Sequence, residues 1–252
     1  MSGHSKWKTI QHKKGAADAK RGKIFSKLSK ELMVVARQGG SDPGTNPTLR
    51  TLIQKAKSAN MPADNIDRAV KKGAGEIEGI TFEEVSYECY ATGGVGLVVQ
   101  VLTDNRNRAT AEVRHIFTKH GSSFAQQGAV TRGFERKGQI LVDATVVDEE
   151  ALLEVVLEAG GEDMRRDGDQ FEIITDPATF ADVSEALEKT EISTLSAEVT
   201  LLPVTFLPIA EQSAANSVLR FVSDLEDNDD VQNVYHNMEM SDDVIEAMAA
   251  DV

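Results

Sequence analysis

Lys6, Lys8, Lys13, Lys14, Lys20, Arg21 and Lys23 crowd the start of the chain, among His4, Trp7 and His12. Lysine and arginine neutralise phosphates and release counterions, and an indole or imidazole ring can stack on an unpaired base. The residue types therefore point to a nucleic-acid-binding arm, which Lys27 and Lys30 extend. The plainer reading is a solvated basic tail in which Trp7 packs as an anchor. A second cluster is Asp104–Arg108, DNRNR, at a strand-to-helix junction. Arg106 and Arg108 beside a helix start could hold a phosphate. Alternatively, Asn105 caps the helix and the arginines pair with surface acids. The candidate nucleic-acid contacts are thus Lys6, Trp7, Lys8, His12, Lys13, Lys14, Lys20, Arg21, Lys23, Lys27, Lys30, Arg106 and Arg108.

Other chemistries lack their residues. Gly22-Lys23 is followed by Ile24, and Gly15 does not stand at the upstream spacing of a phosphate-binding P-loop. Gly93-Gly94-Val95-Gly96 lacks the third glycine of a dinucleotide loop. His115 and His120 are five apart on a helix and do not share a face. The run from Asp224 to Tyr235 alternates like a calcium loop, but Asp229 replaces the glycine and Tyr235 the final glutamate. It reads as a solvated acidic turn. Cys89 falls in a strand, with no nucleophile elbow. No catalytic residue, metal or cofactor is expected, and the chain reads as non-enzymatic.

Charge is segregated along the sequence. The first thirty residues hold nine lysines and arginines against one acid, Asp18, in a chain of net charge -14. Residues 1–75 carry 16 basic and 5 acidic side chains, and residues 76–252 carry 11 and 36. A basic end on an acidic body suggests a polyanion-binding element on a carrier that polyanions otherwise repel. One cysteine, the absence of a secretory pattern and short apolar runs predict a cytoplasmic protein with no membrane partner.

The elements that must position these residues follow from periodicity. Residues 16–38 form a helix with Phe25, Leu28, Leu32 and Val35 on one face. Lys20, Lys23, Lys27, Lys30 and Arg37 form a cationic ridge opposite. Asn46 caps a second helix with Pro47 at its first position, carrying Leu49, Leu52, Ile53 and Ala56. A third starts at Met61-Pro62 and stops at Gly73, and residues 73–80 are a linker. Strands 85–91 and 95–103 make a hairpin, and Asn105 caps a helix to His120. Beyond it come strand 134–142, helix 148–159, strand 170–175 and a helix opened by Asp176-Pro177. Strand 195–204, helix 212–225 and strand 231–237 complete the chain. Segment 134–204 reads β-α-β-β-α-β, a ferredoxin-like order. The fold class is α+β: a helical bundle, then two small ferredoxin-like α/β domains, one inserted in the other. The boundaries are 1–78, 79–131 with 206–240, 132–205, and an acidic tail 241–252.

GHSKW (Gly3–Trp7), the run from His12 to Phe25, GGSDPGTNPTLR, DNRNR with Ala111–His115, EAGGED (Glu158–Asp163) and DDVQNVYHN (Asp229–Asn237) resemble the YebC/PmpR family of regulatory proteins. The resemblance covers nearly the whole chain. It implies three domains around a cleft and a DNA-binding transcriptional regulator. Similar proteins, including the mitochondrial translational activator of cytochrome oxidase, act on ribosomes, and bacterial ones relieve stalling at proline runs. Gly128–Phe134 departs from the family pattern, with Arg132 in place of an aromatic residue and Gly133 in place of an aliphatic one. The expected partner is DNA or ribosomal RNA, reached through the basic arm. A scaffold whose acidic domains bind a basic protein is the blander class.

Overall fold

The computed structural model describes residues 18–241 and 244, with side chains from Arg21 onward. The described residues divide into two compact units. One comprises residues 18–132 and 211–236, and the other residues 133–210, 237–241 and 244. None of the described helices is long and apolar enough to cross a membrane.

The first unit opens with three helices: α1 (Asp18–Gly39), α2 (Pro47–Ser58) and α3 (Ala63–Gly73). Leu28, Leu32 and Ala36 of α1 meet Leu49, Leu52 and Ala56 of α2 and Ile66, Ala69 and Val70 of α3 in one core. Asn46 joins the first two helices. Its Oδ1 accepts the N–H of Leu49 at 3.1 Å, and its amide donates to the carbonyls of Val35 and Gly40 at 3.2 and 3.0 Å. One side chain thus satisfies orphan groups at two helix ends. Gly73 does more than stop α3: a Cβ there would strike the backbone carbonyl of Met33, so glycine permits α1 and α3 to approach closely.

The same unit continues as the hairpin β1 (Glu83–Tyr90) and β2 (Gly96–Thr103), turned by a short 3-10 helix at Thr92–Gly94. Gly93 and Gly94 have φ of +75° and +82°, which glycine adopts freely. Helix α4 (Arg106–Lys119) follows. Later in the chain, helix α7 (Gln212–Glu226) and strand β8 (Val231–His236) return, giving an antiparallel sheet of order β1-β2-β8. Phe117 of α4 meets Phe221 of α7 edge-on at 5.6 Å.

The departing stretch at residues 128–133 is anchored from β1. The carboxylate of Glu88, 5% exposed, accepts the N–H groups of Gly128, Val130 and Thr131 at 2.7, 2.6 and 3.0 Å. Burial alone would raise this carboxyl's pKa, but the backbone donors outweigh it and hold the group below its usual range. Arg132 turns back, its Nε donating to the carbonyl of Gly128 at 2.7 Å. Arg132 is therefore used locally.

The second unit runs β3 (Phe134–Asp143), α5 (Glu149–Glu158), β4 (Gly161–Asp167), β5 (Gln170–Thr175), α6 (Phe180–Lys189) and β6 (Thr194–Pro203). Its sheet has order β4-β5-β3-β6 with every pair antiparallel, which is the ferredoxin-like arrangement. Ile140, Val142, Phe171 and Ile173 from the sheet pack on Leu152, Val156, Val183 and Leu187 from the helices. Two details differ from expectation. Gly161–Asp167, to which no element is assigned from periodicity, is an edge strand whose polar sequence GEDMRRD carries little apolar signal. Asp176-Pro177 forms a turn, with Asp176 Oδ1 accepting the N–H of Ala178 at 2.8 Å, and the helix starts three residues later. Strands β7 (Leu207–Ile209) and β9 (Met238–Met240) add a parallel pair.

Gly73→Ala is expected to cost about 1–3 kcal/mol of stability in urea denaturation, because the backbone of Met33 cannot yield as a side chain would. Gly22→Ala is the control. Its Cβ meets nothing within 4 Å, and alanine in an exposed helix interior should add about 0.5–1 kcal/mol.

Candidate nucleic-acid interface

Of the candidate contacts, Lys6, Trp7, Lys8, His12, Lys13 and Lys14 lie outside the described residues. Lys20 is on α1, with its side chain also outside them, and Arg21 is exposed. The remaining cations of α1 do not present an open ridge. Lys23, Lys27 and Lys30, at helical spacing on one face, reach the turn between α7 and β8. Lys23 Nζ donates to the Asp227 carbonyl at 3.0 Å and to its carboxylate at 2.9 Å. Lys27 Nζ donates to the Glu226 carbonyl at 2.8 Å. Burial lowers the pKa of Lys27, opposed by the charge of Glu226. Lys30 Nζ donates to the Asp229 carbonyl at 2.8 Å and to the Asp230 carboxylate at 2.7 Å.

Asp230 is the centre of this contact. The acidic run was expected as a solvated turn, yet Asp230 is 4% exposed. Thr103 Oγ1 and Arg108 Nη2 donate to its Oδ2 at 2.8 and 2.7 Å, while Lys30 holds Oδ1. Burial alone would raise the carboxyl's pKa, but these donors outweigh it and keep the group below the ordinary range. Arg108 also donates to Asp104 at 2.8 Å. Asn105 caps α4, accepting the N–H of Arg108 at 3.1 Å. In DNRNR, then, Asn105 and Arg108 serve the fold, while Arg106 is exposed with no partner among the described residues. The structure brings Lys30 and Arg108 together on one carboxylate and leaves Arg106 apart.

Further along α7, Asp224 accepts from Lys119 Nζ at 2.6 Å and pairs with His120 Nε2 at 2.8 Å. The hydrogen bonds from Lys119 and His120 hold this carboxyl below its usual range. Cys89 is buried in β1 and burial pushes its thiol up to about 12, which keeps it protonated and unreactive. Among the described residues, no group of three or more His, Cys, Asp and Glu side chains could hold a metal ion. Asp230 and Thr103 escaped sequence reasoning. The signal for them was the complement between lysines spaced three and four apart and the acidic run DLEDNDD.

Asp230→Asn is expected to cost about 2–3 kcal/mol in urea denaturation, since it leaves a buried site with cations and no anion. Asp227→Asn, at a pair 41% and 64% exposed, should change stability by less than about 0.5 kcal/mol. The pH dependence follows from the depressed carboxyls Glu88, Asp224 and Asp230. Their contribution is fully present above the unfolded carboxylate pKa near ~4 and is lost as pH falls through their lower folded values. Urea midpoints measured from neutral to acid pH should therefore hold above about pH 5 and fall steeply below about pH 4. Glu88→Gln should flatten part of that fall.

Comparison with known proteins places this geometry. Residues 5–76 match the family described as the TACO1/YebC protein N-terminal domain, and residues 82–238 match the TACO1/YebC second and third domain. A "probable transcriptional regulatory protein" of Desulfatibacillum aliphaticivorans is 53% identical over 97% of this chain and 99% of its own. One of the same description from Geobacter sulfurreducens is 51% identical over 98% of this chain and 100% of its own. The crystal structure of a conserved hypothetical protein from Aquifex aeolicus, 49% identical, superposes with a TM-score of 0.81 over 89% of this chain and 93% of that one. With both of its regions matched and full-length relatives at about half identity, the chain belongs to the TACO1/YebC family.

Proposed function

We propose that this chain is a non-enzymatic, cytoplasmic regulator of gene expression that binds DNA through its N-terminal basic arm. The observation that carries the reading is the concentration of nine cations against one acid in the first thirty residues, on a chain of net charge -14. Names of relatives as probable transcriptional regulatory proteins support the regulatory class. Lys23, Lys27 and Lys30 are engaged on the acidic turn, so the reading rests on the arm rather than on the face of α1. Arm cations neutralise phosphates and carry little sequence preference.

The alternative partner is ribosomal RNA, in a factor that relieves stalling at proline runs. The charge of the body favours it: 36 acids against 11 bases in residues 76–252 oppose lying along a duplex. An arm entering a structured RNA pocket avoids that repulsion.

Deleting residues 2–14, a cut that ends before α1, should abolish binding while thermal unfolding of the remainder stays within a few degrees of the parent. Unchanged affinity would overturn the assignment of binding to the arm. Affinity should also fall steeply with salt as several phosphates are released together. Crosslinking in cells, with sequencing of the attached nucleic acid, separates the partners: promoter DNA for the first reading, large-subunit ribosomal RNA for the second.

A further inference from the structure

A cavity of about 470 Å³ opens beside α7, lined by His120, Ser213, Asn216, Ser217 and Arg220. The four α7 residues recur at spacings of three and four, so they share the face left after Ala215, Val218, Leu219 and Val222 enter the core. Every lining side chain is polar and none is acidic, in a chain of net charge -14.

Arg220, like Arg106, differs from several basic side chains of this unit. Arg108 is held by Asp104 and Asp230, Lys119 by Asp224, and Arg132 by the carbonyl of Gly128. Arg220 has no hydrogen-bond or ion-pair partner among the described residues, and it is exposed. The acid one turn beyond it, Asp224, is already matched by Lys119 and His120. His120 is fixed at the cavity wall, its ring stacked on Phe221 at 4.7 Å and 12°. Ser217 Oγ lies 3.3 Å from Thr92 Oγ1, which ties the cavity to the β1-β2 turn.

A guanidinium offers a planar fork of N–H donors, and the Ser213 and Ser217 hydroxyls and Asn216 amide add single donors on the same face. This set matches the several acceptor oxygens of a phosphate better than the two of a carboxylate. The volume is that of a small-ligand pocket. We infer that this cavity binds one phosphate group, supplied by a free nucleotide or by a polynucleotide backbone. A backbone source rests on the proposed function. A free nucleotide does not, and neither source involves the arm.

The test is an NMR titration of the full chain, labelled with nitrogen-15, against inorganic phosphate, AMP and a short oligouridylate. The Arg220 Nε–H and the amides of Ser213, Asn216 and Ser217 should shift saturably with at least one probe. Arg220→Ala should remove the shifts without moving the thermal midpoint, and Arg220→Lys, which lacks the fork, should weaken them. Saturation by AMP with unchanged oligouridylate affinity identifies a nucleotide source. A backbone source instead lowers oligouridylate affinity about 3–10-fold in Arg220→Ala and reduces the log–log salt slope by about one phosphate. No shift at these residues with any probe, or shifts that persist in Arg220→Ala, would overturn the inference. Loss of binding on deleting residues 2–14 tests the arm separately, because the Arg220 shifts with phosphate or AMP should survive that deletion.

Discussion

The carboxylate of Asp230 is the group on which the first unit depends. A carboxylate this deep is tolerated only when its lone pairs are filled, because desolvation otherwise favours the neutral acid. Here they are filled from three elements, all more than a hundred residues away in the sequence. Lys30 comes from the helical bundle, Thr103 from the end of β2, and Arg108 from the first turn of α4. The backbone of the same residue joins the sheet, its carbonyl accepting the N–H of Leu102 at 2.8 Å, beside the register shift at Gln100/Val101. The Asn228 side chain accepts the N–H of Asp230 at 2.9 Å and donates to Glu112 at 2.8 Å, which fixes the approach to the turn. The charged contact therefore sets where α1 stands against the sheet as well as where β8 begins.

This arrangement changes what the charge of α1 means. Lysines three and four apart on one helix face repel one another in isolation. Against the turn after α7 they gain three backbone carbonyls and two carboxylates. Two of the carbonyls, those of Glu226 and Asp227, stand at the end of α7, where the macrodipole already favours cations. A count of basic residues thus overstates the cationic surface offered to a partner. It cannot separate lysines that close a helix end from lysines that await a phosphate.

The parts of the fold legible in the sequence are those decided locally. Asn46-Pro47 and Asn105 carry their caps within three residues, and Gly93-Gly94 carries its turn, so each was readable without knowing what packs nearby. The ferredoxin-like order followed from apolar periodicity in β3, β5 and the two helices. That order required a strand before Gln170, but the residues of β4 were not marked out, because an edge strand pairs on one side only and GEDMRRD needs few apolar residues. Nor was the reason for Gly73, which depends on the distance between α1 and α3. The site divided the same way. That Arg108 would pair with an acid was one of two readings open at DNRNR. Its partner Asp230 lies 122 residues further on, and no local pattern marks one of the five acids in DLEDNDD as the buried one.

A protein that spends its folded cations on holding itself together must keep any binding cations away from its own acids. Besides Arg106, two places bear on that condition. One is the arm, whose lysines have a single acid, Asp18, among the first thirty residues. The other is the outer face of α7, where Asp224, one turn beyond Arg220, is already paired with Lys119 and His120 and leaves Arg220 without it. The two differ in kind. The arm is rich in charge in the sequence, the character that the proposed salt-dependent contact with a long polyanion requires. The α7 face has one guanidinium and several short donors on a rigid helix, which suits a single phosphate held in a defined orientation. A partner that engages both would be located by the first and oriented by the second.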